Sequence, residues 1–79
     1  MTRVRLFAAA AEAAGIDESS VDGPFTLAEL RSTLSDRFGA EFEHVLRRCA
    51  VLVDGTRLDD DTEIPADATV DILPPFAGG

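Results

Sequence analysis

The 79-residue chain contains no lysine, one cysteine and one histidine, and each scarcity excludes a class of chemistry. Because all seven basic residues are arginines, reactions that need a side-chain amine on this protein are excluded. Cys49 cannot form an internal disulfide, which is typical of a reducing compartment. It precedes an apolar run, so we expect a small buried residue rather than a nucleophile. His44 has no partner at a catalytic spacing and is expected at the surface.

Basic residues are outnumbered by acidic ones, seven to fifteen, which gives a formal net charge of −8. A surface of this charge repels polyanions, so we expect no nucleic-acid partner and an attraction to positively charged protein surfaces. No apolar run approaches the ~20 residues that a membrane span requires, so we expect no membrane insertion. Apolar and polar residues alternate from the start of the chain, and the apolar segment of a secretory signal is lacking. This predicts a cytoplasmic protein.

Motifs for catalysis and cofactor binding are also missing from the sequence. It has no phosphate-binding loop, no dinucleotide-binding glycine pattern and no Cys-x-x-Cys pair. The acidic run Asp59–Asp61 lacks the spacing of a calcium-binding loop, and a solvated acidic loop is the simpler interpretation. We therefore predict that this chain binds no metal and no cofactor and has no active site of its own.

The first quarter of the chain predicts two paired strands joined by a short helix. Residues 3–8 alternate, so that Val4 and Leu6 face one side of a strand and Phe7 faces the other. The alanine-rich segment that follows is closed by Gly15, which is typical of a short helix with a glycine C-cap. A second strand is expected over Glu18–Val21.

The segment from 25 to 39 predicts the main helix. Thr26 as N-cap and Glu29 three residues later form a capping box, and Phe25 is expected to pack on Leu30 as a hydrophobic staple. Gly39 is the expected C-terminal stop. Apolar residues recur at helical spacing along one side, which we interpret as the core-facing side. These residues are Leu27, Leu30, Leu34 and Phe38.

A helical turn and a β-hairpin are predicted next. Phe42 and Leu46 are expected to face inward from a short helical segment. The apolar run Ala50–Val53 is expected to be a buried strand. The Asp54-Gly55 pair is preferred in type I′ turns, which predicts a hairpin that returns through the sequence TRL.

A final strand follows an acidic loop at residues 59–68. In this strand Val70 and Ile72 are expected to face the core and Leu73 to face outward. The resulting order, ββαβββ or close to it, places one main helix across a mixed sheet of four to five strands. This is the order of the β-grasp, or ubiquitin-like roll, an α+β fold. We predict one β-grasp domain at residues 1–73 and a tail at residues 74–79.

The terminal sequence PPFAGG predicts an extended, flexible tail. Pro74 and Pro75 favour extended backbone, so residues 74–79 can reach about 20 Å from the domain. Gly78 and Gly79 have no side chains and can thread a channel too narrow for other residue pairs. The α-carboxylate of Gly79 is unreactive towards nucleophiles until it is converted to a species such as an acyl-adenylate. Because the chain lacks a phosphate-binding loop for ATP, another protein must activate it.

Four segments resemble, in order and spacing, those of the MoaD/ThiS family of ubiquitin-like sulfur carriers: VRLFAAAAEAAG, TLAELRSTLSDRFG, VLVDGTRL and TVDILPPFAGG. Within the family, the resemblance is closest to small subunits of molybdopterin synthase. It implies that an E1-like adenylyltransferase uses ATP to adenylate Gly79 and that a sulfur donor then converts it to a thiocarboxylate. It also implies that Gly79 donates this sulfur to a pterin precursor inside the large subunit of molybdopterin synthase, with Gly78 allowing entry.

The family docks through an apolar patch beside the tail, which the resemblance places at Phe7, Leu58 and Leu73. The alternation of the first and last strands independently directs Phe7 and Leu73 away from the core. The alternative is that these are isolated apolar residues on the surface, which are common. The tail segment Pro74–Phe76 supplies further expected contacts with the partner.

Three other functions stay open on the sequence alone. A carrier on the same fold can supply sulfur to thiamine or cysteine synthesis. A protein modifier would join the activated Gly79 to a lysine of a target protein. A plain binding module with a disordered tail would use neither chemistry.

Overall fold

Seven strands and three helices lie in the part of the chain that the computed structural model describes, residues 1–23 and 25–74. In chain order they are β1 (Thr2–Leu6), α1 (Ala9–Ala14), β2 (Glu18–Val21), β3 (Phe25–Thr26), α2 (Leu27–Phe38), α3 (Ala40–Leu46), β4 (Ala50–Val53), β5 (Thr56–Arg57), β6 (Glu63–Ile64) and β7 (Thr69–Leu73). Within this part of the chain, no helix combines the length and apolar character needed to cross a membrane.

Five of the strands form one mixed sheet in the order β2-β1-β7-β4-β5. The first and last strands of the fold, β1 and β7, run parallel at its centre, with Val4 opposite Val70. The remaining pairs, β1 with β2, β7 with β4 and β4 with β5, are antiparallel. This topology confirms the predicted β-grasp fold, with α2 as its longest helix at twelve residues.

One face of this sheet is buried beneath the helices. In β1, Val4 and Leu6 are buried whereas Arg3 and Arg5 are exposed, as the alternation predicted. The other central strands repeat the pattern, and the core also includes residues of α2 and α3. The main buried residues are Val4, Leu6, Val51, Val53, Val70 and Ile72 from the sheet and Leu27, Leu30, Leu34, Phe42 and Leu46 from the helices. Phe38 is partly buried, with its ring edge-on to Phe42 at 5.1 Å.

The predicted capping box defines the start of α2. The Thr26 hydroxyl accepts a hydrogen bond from the Glu29 amide at 3.2 Å, and the Thr26 amide donates to the Glu29 carboxylate at 2.9 Å. The helix ends before Gly39, whose φ of 98° favours glycine. The Phe25 side chain lies outside the part that the structure describes, so its packing on Leu30 stays a prediction.

The Asp54-Gly55 turn also forms as predicted. Asp54 and Gly55 have φ angles of 49° and 83°, and positive φ at both central residues is the signature of a type I′ turn. The turn leaves two residues between β4 and β5, so that Val53 pairs with Thr56 and Leu52 with Arg57. The register of this hairpin determines which side chains reach each face of the sheet.

The acidic segment expected to be only a loop contains a short strand. Its β6 pairs with β3 as a separate two-stranded sheet, with Phe25 opposite Ile64. Carbonyl oxygens of the same segment accept hydrogen bonds from first-turn amides of α2, from Leu27 to Thr62 at 3.1 Å and from Ala28 to Asp60 at 3.0 Å. The segment therefore satisfies amides that a helix start leaves without partners.

The prediction that β4 is a buried strand was only half right. Val51 and Val53 are buried, but Ala50 and Leu52 are only partly covered. The sequence of β4 shows no alternation of apolar and polar residues, because its outward-facing residues are also apolar. The outer side of β4 is thus apolar surface and not core.

Candidate functional site

The C-terminal tail begins at the end of β7, which lies in the middle of the sheet between β1 and β4. Val70 and Ile72 are fully buried, so the strand that carries the tail is fixed by packing as well as by two ladders of hydrogen bonds. The described part of the chain ends at Pro74. The predicted catalytic residues Gly78 and Gly79 and the predicted partner contacts Pro75 and Phe76 lie outside it.

The side of the sheet turned away from the helices surrounds the base of the tail. We call it the outer sheet face, and its strand residues are Arg3, Arg5, Glu18, Ser20, Ala50, Leu52, Arg57, Thr69, Asp71 and Leu73, with Phe7 directly after β1. Directly opposed residues of neighbouring strands share a face, so the strand register determines which of these side chains are neighbours.

The row nearest the tail is apolar. Leu73 is opposite Ala50 on one side, and on the other side the pairing of Leu6 with Ile72 places Phe7 beside Leu73. The Phe7 amide donates to the Ile72 carbonyl at 3.2 Å, which continues the β1 ladder past the strand end. Phe7 is 39% exposed and Leu73 is half-buried. The predicted outward orientation of these two residues is confirmed.

The next row contains a charged pair. Arg5 donates to both carboxylate oxygens of Asp71, from Nε at 2.6 Å and from a terminal guanidinium nitrogen at 2.8 Å. This hydrogen bonding and the Asp71 charge raise the pKa of the Arg5 guanidinium. Its carbon Cζ also lies 5.9 Å from the centroid of the Phe7 ring, within range of a cation–π contact. The pair thus holds Arg5 against the ring that flanks the tail.

Leu58 does not lie on the outer sheet face. It is half-buried and packs against the core cluster. The preceding residue, Arg57, is opposite Leu52 and therefore belongs to the outer sheet face. The structure brings Phe7 and Leu73 together beside the tail, and Arg57 and Leu52 take part in this surface where Leu58 was expected. The docking role of the three predicted residues stays a prediction.

A depression of about 300 Å³ lies at the base of the tail, between α1 and α3. It is lined by Ala9, His44, Val45, Arg48, Cys49 and Pro74. The Cys49 thiol donates to the Val45 carbonyl at 3.3 Å. Burial raises the pKa of this thiol, and the Arg31 charge opposes the shift by a smaller amount. Cys49 is therefore a structural thiol as predicted, and His44 is exposed as predicted.

The described residues offer no arrangement that would hold a metal. Among them, no group of three or more His, Cys, Asp or Glu side chains converges. In the acidic run, Asp60 instead lies 3.3 Å from Arg31 Nε, an ion pair without hydrogen-bond alignment. The run as a whole is exposed to solvent.

Sequence reasoning missed Ala50, Leu52 and Arg57 as members of the surface beside the tail. The signal was present in the Asp54-Gly55 turn, because a two-residue hairpin fixes the register of both strands. Counting from that turn places Leu52 opposite Arg57 on the outer sheet face. Because successive residues of a strand point to opposite faces, the same register directs Leu58, the residue after Arg57, towards the core.

The fold and the position of the tail define a ubiquitin-like β-grasp protein, and known structures share this fold. One is a protein of Pyrococcus furiosus assigned as molybdopterin converting factor subunit 1, with a TM-score of 0.84, 21% identity, and coverage of 95% of this chain and 97% of that one. SAMP1 of Haloferax volcanii gives a TM-score of 0.79, 25% identity, and coverage of 99% and 98%. A third is the matching chain in a complex of subunits 1 and 2 of molybdopterin-converting factor from Helicobacter pylori. It gives a TM-score of 0.73 and 23% identity, with coverage of 99% of this chain and 97% of that one.

The family follows from the sequence match. The model of the ThiS family matches residues 4–79, and the chain belongs to this family. No curated protein matches the sequence. The chain is thus a ubiquitin-like protein of the MoaD/ThiS type, a class of sulfur carriers and modifiers.

Proposed function

We propose that this chain is the sulfur-carrier subunit of a molybdopterin synthase. The observation that carries the proposal is the ThiS family match, which extends through residue 79 and so includes the Gly78-Gly79 terminus. The fold supports it, because the central strand β7 leads directly into that terminus. The globular domain then acts as a handle, and the chemistry takes place on the Gly79 carboxyl group.

The proposed reaction has three steps, each in the site of another protein. An E1-like adenylyltransferase joins the Gly79 carboxylate to the AMP part of ATP, with release of pyrophosphate. A sulfur donor then supplies the sulfur that displaces AMP and leaves a thiocarboxylate. Finally the thiocarboxylate sulfur is transferred to a pterin precursor in the large synthase subunit, and hydrolysis restores the carboxylate. The ATP belongs to the activating enzyme, because this sequence has no phosphate-binding loop.

Docking of the large subunit is proposed at the outer sheet face beside the tail. Phe7 and Leu73 form its apolar centre, and burial of such residues stabilises an interface. The tail segment Pro74–Phe76 would continue the contact and direct Gly78 and Gly79 into the partner. The Helicobacter pylori neighbour is a subunit of such a two-part complex, which supports this choice of partner.

A protein modifier is the second candidate. It is favoured by the likeness to SAMP1, the small archaeal modifier protein of Haloferax volcanii, at 25% identity over nearly the whole chain. In this function the activated Gly79 would form an amide with a lysine of a target protein. A carrier for thiamine or cysteine synthesis would use the same thiocarboxylate with a different acceptor. Covalent species of higher mass in cells identify a modifier, whereas co-purification with a synthase large subunit identifies the proposed pathway.

Deletion of Gly78 and Gly79 tests whether the terminus is the functional part. We expect complete loss of sulfur transfer in an assay with the activating enzyme, ATP, a sulfur donor, the large subunit and the pterin precursor. Thermal unfolding should be unchanged, because β7 ends at Leu73 and its packing is retained. Full sulfur transfer by the truncated protein would contradict the proposal, because the sulfur would then not be carried on Gly79.

A further inference from the structure

Arg57 occupies a defined place on the outer sheet face. It begins a row of directly opposed residues that crosses all five strands of the sheet: Arg57, Leu52, Asp71, Arg5 and Glu18. Arg57 is exposed, and Leu52 and Asp71 are half-buried. Two interstrand spacings of ~4.8 Å separate the backbones of Arg57 and Asp71 by roughly 10 Å.

The two arginines of this row are in different electrostatic states. Arg5 is neutralised by its paired hydrogen bonds to Asp71, at 2.6 and 2.8 Å. Arg57 has no ion pair among the residues that the structure describes. Asp71 has both of its carboxylate oxygens engaged by Arg5, so Arg57 presents an uncompensated charge on this surface.

The charge of the outer sheet face also differs from that of the whole protein. Its strand residues include three arginines, at positions 3, 5 and 57, and two acidic residues, Glu18 and Asp71, for a formal charge of +1. The whole chain carries −8. The surface that a partner would contact beside the tail is therefore slightly positive, although the whole protein is strongly negative.

We propose that the protein that docks on the outer sheet face presents an apolar area opposite Phe7 and Leu73 and a carboxylate opposite Arg57. This inference rests on the proposed function, since it describes the partner at the same docking site. Covering a guanidinium group without a new acceptor removes its hydration at a cost, whereas a carboxylate can accept two hydrogen bonds from it. Arg57 thereby selects among partners that share the apolar contact.

Affinity measurements on full-length chains test the charge of the partner. The probe is the purified large subunit of molybdopterin synthase from the same organism, and the dissociation constant is measured at low and high salt. Arg57→Glu should weaken binding by at least ~10-fold, because it places a carboxylate against a carboxylate. Arg57→Leu should weaken it less and reduce the dependence on salt. Arg47→Glu is the matched control, since it changes the net charge equally at an exposed residue directly after α3. It also removes the Arg47–Glu43 pair, but exposed ion pairs contribute little, and we expect an effect on binding below ~2-fold.

Three results overturn the inference, and they are distinguishable. If the wild-type chain binds and Phe7→Ala weakens binding, but Arg57→Glu binds as tightly as wild type, the docking surface stands and the proposed carboxylate is wrong. If Arg47→Glu weakens binding as much as Arg57→Glu, only the net charge matters and the inference is also wrong. If the wild-type chain does not bind the large subunit, the proposed function itself fails, and this partner with it.

Discussion

Cys49 follows α3 with its thiol directed at the Val45 carbonyl, beside the depression at the base of the tail. The thiolate is the reactive form of cysteine, and burial raises the pKa of this thiol above its ordinary value of 9.0. A raised pKa lowers the thiolate fraction at every pH below it. The residue is therefore poorly suited to carry sulfur itself, which agrees with the proposal that Gly79 is the carrier group.

We predict that iodoacetamide labels Cys49 in the folded protein several-fold more slowly than in the urea-unfolded protein at pH 8. The labelling rate of the folded protein should still increase above pH 9.0, where the rate for an unfolded chain begins to level off. The reason is that the raised pKa moves thiolate formation in the folded protein to higher pH. A time course of intact mass measures both rates. Equal rates in the folded and unfolded protein would show that the thiol is neither buried nor shifted in pKa.

The sequence predicted individual residues well where a strand is long enough to show its period. Val4 and Leu6 in β1 and Val70 and Ile72 in β7 were assigned correctly to the core. Leu58, which the resemblance placed in the docking patch, instead packs against the core cluster. It follows β5, which has only two residues and shows no alternation of its own. Its orientation is determined by the register of the hairpin, which depends on pairing with β4.

At the scale of elements, the start of α2 was predicted from a local signal, the capping box of Thr26 and Glu29. Thr26→Ala removes the hydroxyl that accepts from the Glu29 amide, so we expect a loss of about 1 kcal/mol in the free energy of unfolding. For a domain of this size, that loss lowers the melting temperature by roughly 4–8 °C. Thermal unfolding followed by circular dichroism measures the change.

The control for this prediction is Ser32→Ala, an exposed position within the same helix. Alanine has the higher helix propensity, so we expect a change within ~0.5 kcal/mol or a slight gain. If the two variants melt at the same temperature, the capping box does not stabilise the fold as described.

The elements that sequence reasoning missed are β3 and β6. Each has only two residues, too few for a hydrophobic period, and they pair across 39 positions of the chain, as Phe25 with Ile64. Their position depends on the acidic segment folding back onto the start of α2, where Leu27 and Ala28 donate to its carbonyls. Such long-range contacts follow from the assembled fold, and no local pattern in the acidic segment indicates them.

At the scale of the whole molecule, the strand that precedes the C-terminal tail lies at the centre of the main sheet. The strand β7 is held by β1 on one side and β4 on the other, and it ends beside the apolar row of Phe7 and Leu73. Most of the excess acidic charge lies away from the outer sheet face. A partner can therefore contact this face at the base of the tail without disturbing the core.

The central claim is that the Gly79 carboxyl group carries sulfur. Its most direct test is the intact mass of the full-length chain after incubation with an E1-like adenylyltransferase, ATP and a sulfur donor, combined with fragmentation that locates the change. We predict an increase equal to the mass difference between sulfur and oxygen, confined to the C-terminal fragment that ends at Gly79 and absent when ATP is omitted. An unchanged mass with an activator shown to load another carrier, or a mass change located at Cys49, would contradict this account.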